Sequence, residues 1–115
     1  MLKEASTLKT DVNEKRFGGN GFVKSKPLLA TEEFLGKGRL FAHNIIPPGS
    51  SLGFHKHEGD FETYYILCGE GTVNDNGVLK PVKAGDLVYT APGESHGMEN
   101  TGTEDLEYIA LILFA

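Results

Sequence analysis

Turn signals divide this chain into segments that are too short for long helices. Clusters of glycine, proline, asparagine and aspartate recur along it, including Pro47-Pro48-Gly49, Asp75-Asn76-Gly77 and Ala91-Pro92-Gly93. Asn76-Gly77 is a strong signal for a β-hairpin, because both residues tolerate the positive φ that tight hairpin turns require. No window of about a dozen residues has a sustained apolar period of 3.6 residues. The sequence therefore predicts an all-β protein.

The apolar segments between these turns are the predicted strands. A single helical turn is predicted at residues 31–35, with Thr31 as its N-cap and Gly36 as its end. Many short strands, regular turns and 15 glycines indicate a sandwich or a small barrel. The predicted strands are 22–29, 40–46, 51–57, 61–68, 71–74, 78–82, 86–90, 96–100 and 106–114.

The length of 115 residues suits one domain. Residues 1–21 are polar and end in a glycine-rich stretch, so they are predicted to form an N-terminal arm that lies along another subunit or is loosely ordered. Residues 22–115 are predicted to form the single barrel domain. Exposed strand edges and a C-terminal run that is apolar on both faces predict a homodimer.

Charge and composition exclude several kinds of partner. The net charge of −5 argues against nucleic acid and against an anionic membrane surface. The longest apolar run, residues 108–115, is too short to span a bilayer, and the first residues do not resemble a secretory signal. The single cysteine, Cys68, suits a reducing compartment, and we expect it to be a packing residue. These features predict a soluble, cytoplasmic protein.

Histidines and a glutamate stand where a small barrel would ordinarily place apolar residues. His55 and His57 share one face of a predicted strand, because residues two apart in a strand point the same way. Glu62 begins the next strand and His96 begins a third. Imidazole nitrogen and carboxylate oxygen suit manganese, iron, nickel, copper or zinc, whereas calcium and magnesium prefer more oxygen ligands. The alternative is that His55 and His57 are only surface histidines.

The glycines around these residues favour the metal site. One stretch resembles the first motif of the cupin superfamily. In it, five residues separate Gly49 from His55, one separates His55 from His57, four separate His57 from Glu62, and six separate Glu62 from Gly69. A later stretch resembles the second cupin motif through Gly85, Gly93, His96 and Asn100. It departs from that motif at one position: Ala91 stands where a proline usually lies two positions before Gly93, and the proline here is Pro92. The resemblance covers roughly residues 40–113 and is typical of small bacterial single-domain cupins.

This resemblance implies a double-stranded β-helix, a jelly-roll-like barrel, with His55, His57, Glu62 and His96 as ligands of one divalent transition ion (manganese, iron, nickel or zinc). It also implies a small-molecule substrate or ligand, and small cupins usually form dimers. The function expected first is a metal-dependent enzyme acting on a small oxygen-rich molecule, as an isomerase, epimerase, lyase or dioxygenase. The alternative is a non-catalytic domain that binds a sugar or another small ligand. Glu62 counts against a cupin of the thiol-dioxygenase type, because the resemblance to that type would imply a site of three histidines without this carboxylate.

Strand parity places further side chains at the predicted pocket. Tyr64 and Met98 share parity with Glu62 and His96, and Leu52 is expected to add to the same wall. Tyr64 either donates a proton or hydrogen bond to the substrate or is only part of the wall. On the predicted strand 40–46, one of two faces points inward: Leu40, Ala42, Asn44 and Ile46, or Phe41, His43 and Ile45. The first is favoured, which places His43 between sheets or at a subunit contact. The acidic residues near the motifs are expected to be solvated, with Glu94 alone a candidate to overhang the cavity mouth; they are Glu58, Asp60, Glu94 and Glu99.

Overall fold

The computed structural model describes residues 1–115 and contains ten strands with three short 3-10 turns. The 3-10 turns are Ala5–Thr7, Arg16–Gly18 and Thr31–Phe34. No helix is long and apolar enough to cross a membrane. The strands are β1 (Asp11–Glu14), β2 (Phe22–Pro27), β3 (Gly38–Ile46), β4 (Ser51–Lys56), β5 (Asp60–Cys68), β6 (Glu70–Asp75), β7 (Val78–Lys83), β8 (Leu87–Thr90), β9 (Ser95–Glu99) and β10 (Leu106–Phe114).

The strands form two antiparallel sheets that pack face to face as a double-stranded β-helix. The larger sheet has the order β1-β2-β3-β10-β5-β8, and the smaller one has the order β4-β9-β6-β7. Apolar side chains from both inner faces fill the space between them, because alternate residues of each strand point inward. The largest members of this core are Tyr64, Tyr108, Ile46, Ile66, Met98 and Leu106.

All nine strands predicted from the sequence are confirmed, with small shifts at their ends. The additional strand is β1, which has the polar sequence Asp-Val-Asn-Glu and pairs with β2 from Asp11↔Ser25 to Glu14↔Phe22. The helical turn is present, but the prediction of Thr31 as its N-cap is wrong. Ala30 occupies that position, and its backbone N–H donates to the Glu33 carboxylate over 2.7 Å, so no threonine hydroxyl is needed.

The inward face of β3 is the predicted one. Ala42, Asn44 and Ile46 are buried. His43 lies on the opposite face, where its Nε2 is 2.8 Å from Glu107 Oε1 of β10. On β10 only one face is fully buried within the chain, since its outward-facing residues remain half-buried.

The N-terminal arm, residues 1–21, was predicted to lie along another subunit or to be loosely ordered, but it contacts the barrel of its own chain and contributes β1 to the larger sheet. The Lys15 N–H donates to the Gly21 carbonyl (2.8 Å) and the Ser51 N–H to the Asn20 carbonyl (2.9 Å). Glycine is required where the arm meets β4, because a Cβ on Gly53 would lie 1.9 Å from the Phe17 carbonyl oxygen. This contact brings residues 16 and 17 to the open end of the barrel.

Candidate metal centre

Four side chains from three neighbouring regions of the barrel converge on one point. The ligand atoms of His55, His57, Glu62 and His96 all lie within 4.8 Å of one another. The Nε2 atom of His96 lies 3.0 Å from His57 Nε2 and 3.1 Å from His55 Nε2. Glu62 Oε1 lies 3.0 Å from the Nε2 atoms of both His57 and His96. We call these four residues the histidine–glutamate cluster.

A β-bulge in β4 aims His55 into the barrel. Leu52 pairs with Met98 and His55 pairs with His96, so β4 has one more residue than β9 between these two pairs. A bulge of this kind lets residues three apart face the same side of a sheet. Both Leu52 and His55 consequently point toward the interior, and Phe54 between them is half-exposed.

His57 lies just after β4 and is held by the turn that precedes β9. Its N–H donates to the Glu94 carbonyl (2.9 Å), and its carbonyl accepts from the Gly93 N–H (2.7 Å). Gly93 has φ of +85°, a conformation that glycine adopts without strain. These two bonds join the segments of the two cupin-like motifs and fix His57 close to His96.

Each histidine of the cluster bonds a neighbour through the ring nitrogen that faces away from the centre. Nδ1 of His55 donates to the Gly53 carbonyl (2.7 Å), and Nδ1 of His57 donates to Asp60 Oδ1 (2.8 Å). Nδ1 of His96 lies 2.7 Å from the Thr90 hydroxyl oxygen. With the ring proton on Nδ1, all three Nε2 lone pairs are directed toward the same point.

The separations within the cluster suit a single cation. Two ligands at right angles, each about 2.1 Å from an ion, lie about 3.0 Å apart, which matches the distances between the Nε2 and Oε1 atoms. Without positive charge at the centre, three nitrogen lone pairs and a carboxylate oxygen would repel one another. The donor set of three imidazoles and one carboxylate is suitable for a borderline transition ion.

Burial and hydrogen bonds set the charges in the cluster. Burial lowers the pKa of His55. The hydrogen bond with Glu62 raises the pKa of His57 above its usual value of 6.5, against the effect of burial. Burial alone would raise the pKa of Glu62, but hydrogen bonds with His57 and His96 lower it to about 2. Glu62 is therefore ionised at neutral pH, and in the metal-free protein His57 keeps a second proton more readily than His55 does.

Asp60 was expected to be solvated, and that prediction is wrong. Its side chain is buried and accepts from both His57 Nδ1 and Arg39 Nε, each over 2.8 Å. Burial opposes ionisation, but these partners lower the pKa of Asp60. A carboxylate in this position orients an imidazole and increases its basicity toward a metal. Glu58 and Glu99 are exposed, as expected.

A cavity of about 100 Å³ adjoins the cluster on the side that the N-terminal arm covers. We call it the site cavity. Its wall includes His55, His57 and Glu62, and its polar residues come from both the arm and the larger sheet. They are Asn13, Arg16, Ser25, Arg39 and Asn44; the apolar wall is formed by Phe17, Val23, Leu40, Leu52, Tyr64 and Ile112.

Asn44 leaves a hydrogen-bond acceptor unpaired in the wall of the site cavity. Its Nδ2 lies 3.4 Å from the Tyr108 hydroxyl, whereas its buried Oδ1 has no partner. An unpaired buried polar atom costs about 1–3 kcal/mol, and further polar side chains line the same wall. The site cavity is thus a polar space that is suited to a small polar molecule.

The other predicted pocket residues occupy different positions. Tyr64 and Leu52 line the site cavity, and the Tyr64 hydroxyl lies 3.2 Å from His96 Nε2. Met98 is buried in the core and does not line this cavity. Glu94 bonds the Ala91 N–H and the Asn76 side chain, both over 2.8 Å, so it supports the turn instead of overhanging the cavity.

Sequence reasoning missed the contribution of the arm. The Phe17 ring stacks on the His55 ring with 3.8 Å between centroids and 16° between planes. The Arg16 guanidinium lies over Phe17 at 4.7 Å from its centroid. The only signal in the sequence was an arginine followed by a phenylalanine just before the glycine-rich stretch.

The chain resembles known proteins along most of its length. The Cupin domain family model matches residues 42–112. A Thermotoga maritima protein named oxalate-binding protein is 56% identical over 113 residues, which cover 98% of this chain and 93% of that protein. An uncharacterised protein of Methanocaldococcus jannaschii is 34% identical over 84 residues, covering 73% of this chain and 67% of its own.

Solved structures also resemble this chain. The crystal structure of a predicted oxalate decarboxylase from Thermotoga maritima superposes with a TM-score of 0.96 and 49% identity, with both chains fully covered. A polyketide cyclase from Streptomyces resistomycificus has a TM-score of 0.76 over 99% of this chain and 80% of its own, but only 18% identity. This second likeness concerns the fold alone.

Proposed function

The chain belongs to the cupin family, and from this membership and the geometry of its site we propose that it holds one divalent transition ion and binds a small carboxylate anion of the oxalate class there. His55, His57, Glu62 and His96 are the proposed ligands. Manganese, iron, nickel and zinc all suit this donor set. A bound ion would supply positive charge and open coordination positions for ligand oxygen atoms.

The observation that carries this proposal is the convergence of the three Nε2 atoms with Glu62 beside a small polar cavity. The cavity volume of about 100 Å³ admits only a small molecule. Charge also favours an anion, because a divalent ion and ionised Glu62 together have one net positive charge, and Arg16 and Arg39 lie in the same wall. The similarity to a protein named oxalate-binding protein supports oxalate as the first ligand to test.

Elemental analysis followed by calorimetry tests this function. The first step is to measure which ion remains in protein purified without added metal. Oxalate is then titrated into metal-free protein and into protein loaded in turn with manganese, iron(II), nickel or zinc. We expect one ion per chain and oxalate binding only by the loaded protein. Equal oxalate binding with and without metal, or no binding by any loaded form, would contradict the proposal.

Decarboxylation of the bound anion is a second candidate function, supported by the similarity to a predicted oxalate decarboxylase. In that reaction the carbon–carbon bond of oxalate breaks, and one proton is taken up to give formate and carbon dioxide. The site cavity offers no carboxyl group besides ionised Glu62, and burial raises the pKa of Tyr64 well above its usual range. The cavity wall holds no neutral carboxylic acid that could supply this proton, so we propose binding ahead of catalysis. Release of formate and carbon dioxide in equal amounts from oxalate would establish decarboxylase activity.

We also propose that two chains pair through the outer face of the larger sheet. Four large side chains there are 42–62% exposed: Tyr65, Leu67, Leu87 and Tyr89. They lie beside the half-buried outward face of β10. Contiguous exposed apolar surface of this kind marks an interaction site, and a second copy of the chain would cover it.

Sedimentation tests the pairing. We expect a mass of about twice the chain mass of 12.5 kDa at micromolar concentration. Leu87→Asp should give a monomer, because it would place an unpaired charge in the interface. Val78→Asp is the matched control, since Val78 is 57% exposed on the smaller sheet. A monomeric wild-type protein at high micromolar concentration, or the same behaviour in both variants, would contradict this interface.

A further inference from the structure

The N-terminal arm is attached to the barrel in a defined conformation beside the site cavity. Phe17 and Lys15 both have positive φ (53° and 47°), a region that residues other than glycine rarely adopt. Contacts with β4 support this backbone, including the hydrogen bond from the Asn20 N–H to Ser51 Oγ (2.8 Å). Unfavourable backbone conformations persist where the surrounding structure enforces them, often next to functional sites. The conformation places Phe17 on His55 and Arg16 in the cavity wall.

Arg16 is the uncommitted cation of the site cavity. The other arginine in the wall, Arg39, is paired with buried Asp60 over 2.8 Å. No carboxylate oxygen lies within 4.0 Å of the Arg16 guanidinium, which rests over the Phe17 ring.

We infer that the N-terminal arm completes the ligand pocket and that the Arg16 guanidinium binds the carboxylate end of the anion that the metal leaves free. This inference rests on the proposed function. It assigns specificity for dianions with two carboxylates to a residue outside the segment that matches the family model, residues 42–112.

Charge and shape both suit this role. A divalent ion, ionised Glu62 and a dianion have a net charge of −1, which one guanidinium neutralises, while Arg39 is already balanced by Asp60. A guanidinium is planar and presents paired N–H groups that match the two oxygens of a carboxylate. A monocarboxylate bound to the metal has no second carboxylate for Arg16 to hold.

Calorimetry with oxalate and formate tests the inference on protein loaded with the ion that supports oxalate binding. In Arg16→Gln the Kd for oxalate should rise about 10- to 150-fold, because a charge-assisted hydrogen-bonded contact is lost. The Kd for formate should change by less than about threefold, and metal content should be unchanged. Arg16→Lys should recover part of the oxalate affinity, since it restores the charge without the planar fork.

Lys56→Gln is the matched control, because it removes one positive charge between His55 and His57 from a side chain that is 56% exposed and paired with Glu58. Its affinities for oxalate and formate should stay within about twofold of wild type. Unchanged oxalate affinity in Arg16→Gln, or equal losses for oxalate and formate, would overturn the role of Arg16 and leave the metal site intact. A loaded wild-type protein that binds no oxalate would overturn the proposed function, and this inference with it.

Discussion

Replacing His57 with alanine is expected to lower the affinity for zinc about 100-fold or more. His57 is almost fully buried, and its Nε2 lies 3.0 Å from both His96 Nε2 and Glu62 Oε1, at the centre of the histidine–glutamate cluster. Removing a residue that hydrogen-bonds a metal ligand lowers the metal affinity roughly 10- to 100-fold, and removing a ligand lowers it more. Competition with a chelator of known affinity measures the loss.

His43→Ala is the matched control for this experiment. It also removes an imidazole, but His43 lies on the outer face of the larger sheet and pairs with Glu107. Its zinc affinity should remain within about twofold of wild type, because the cluster is untouched. Equal losses in the two variants would mean that the loss in His57→Ala is not specific to the cluster, and unchanged affinity in His57→Ala would mean that the cluster does not bind zinc.

Removing the metal is expected to lower the melting temperature at pH 7.5 and to have much less effect at pH 5. An ion present at about 100 times its Kd stabilises the folded state by about 2.7 kcal/mol, which corresponds to a shift on the order of 10 °C for a domain of this size. The cluster joins β5, β9 and the segment around β4, so loss of the ion loosens three regions at once. Melts with and without chelator at the two pH values measure the effect.

The pH dependence follows from competition between metal and protons. The pKa of His57 in the metal-free fold is raised above 6.5 by Glu62, so metal must displace a proton from His57 below that raised value. The pKa of His55 is lowered, so His55 begins to compete only at lower pH. Affinity should therefore decline as pH falls through the pKa of His57 and decline more steeply at lower pH, where His55 is also protonated and more than one proton is taken up per ion released. An equal chelator effect at both pH values, or none at either, would contradict histidine coordination.

The parts of the fold that local chemistry determines could be predicted from the sequence. Turn residues such as Asn76-Gly77 divide the chain wherever the backbone must reverse, and strand alternation gave the inward face of β3. The spacing of His55, His57 and Glu62 matches the family pattern, so the sequence alone predicts the cluster.

Contacts between distant segments could not be predicted in this way. β1 is polar and is stabilised by pairing with β2, so no apolar pattern indicates it. Asp60 looks like a loop carboxylate until Arg39 and His57 are seen to approach it. Phe17 meets His55 only because the arm folds back over β4, and no local spacing encodes that contact.

Anomalous diffraction from crystals of the metal-loaded protein shows directly whether the histidine–glutamate cluster binds the ion. Data collected at the absorption edge of the ion found by elemental analysis should give one strong anomalous peak per chain. We predict that this peak lies about 2.0–2.3 Å from Nε2 of His55, His57 and His96 and from a carboxylate oxygen of Glu62. An ion bound elsewhere on the chain, with no peak among these four side chains, would contradict metal binding by the histidine–glutamate cluster.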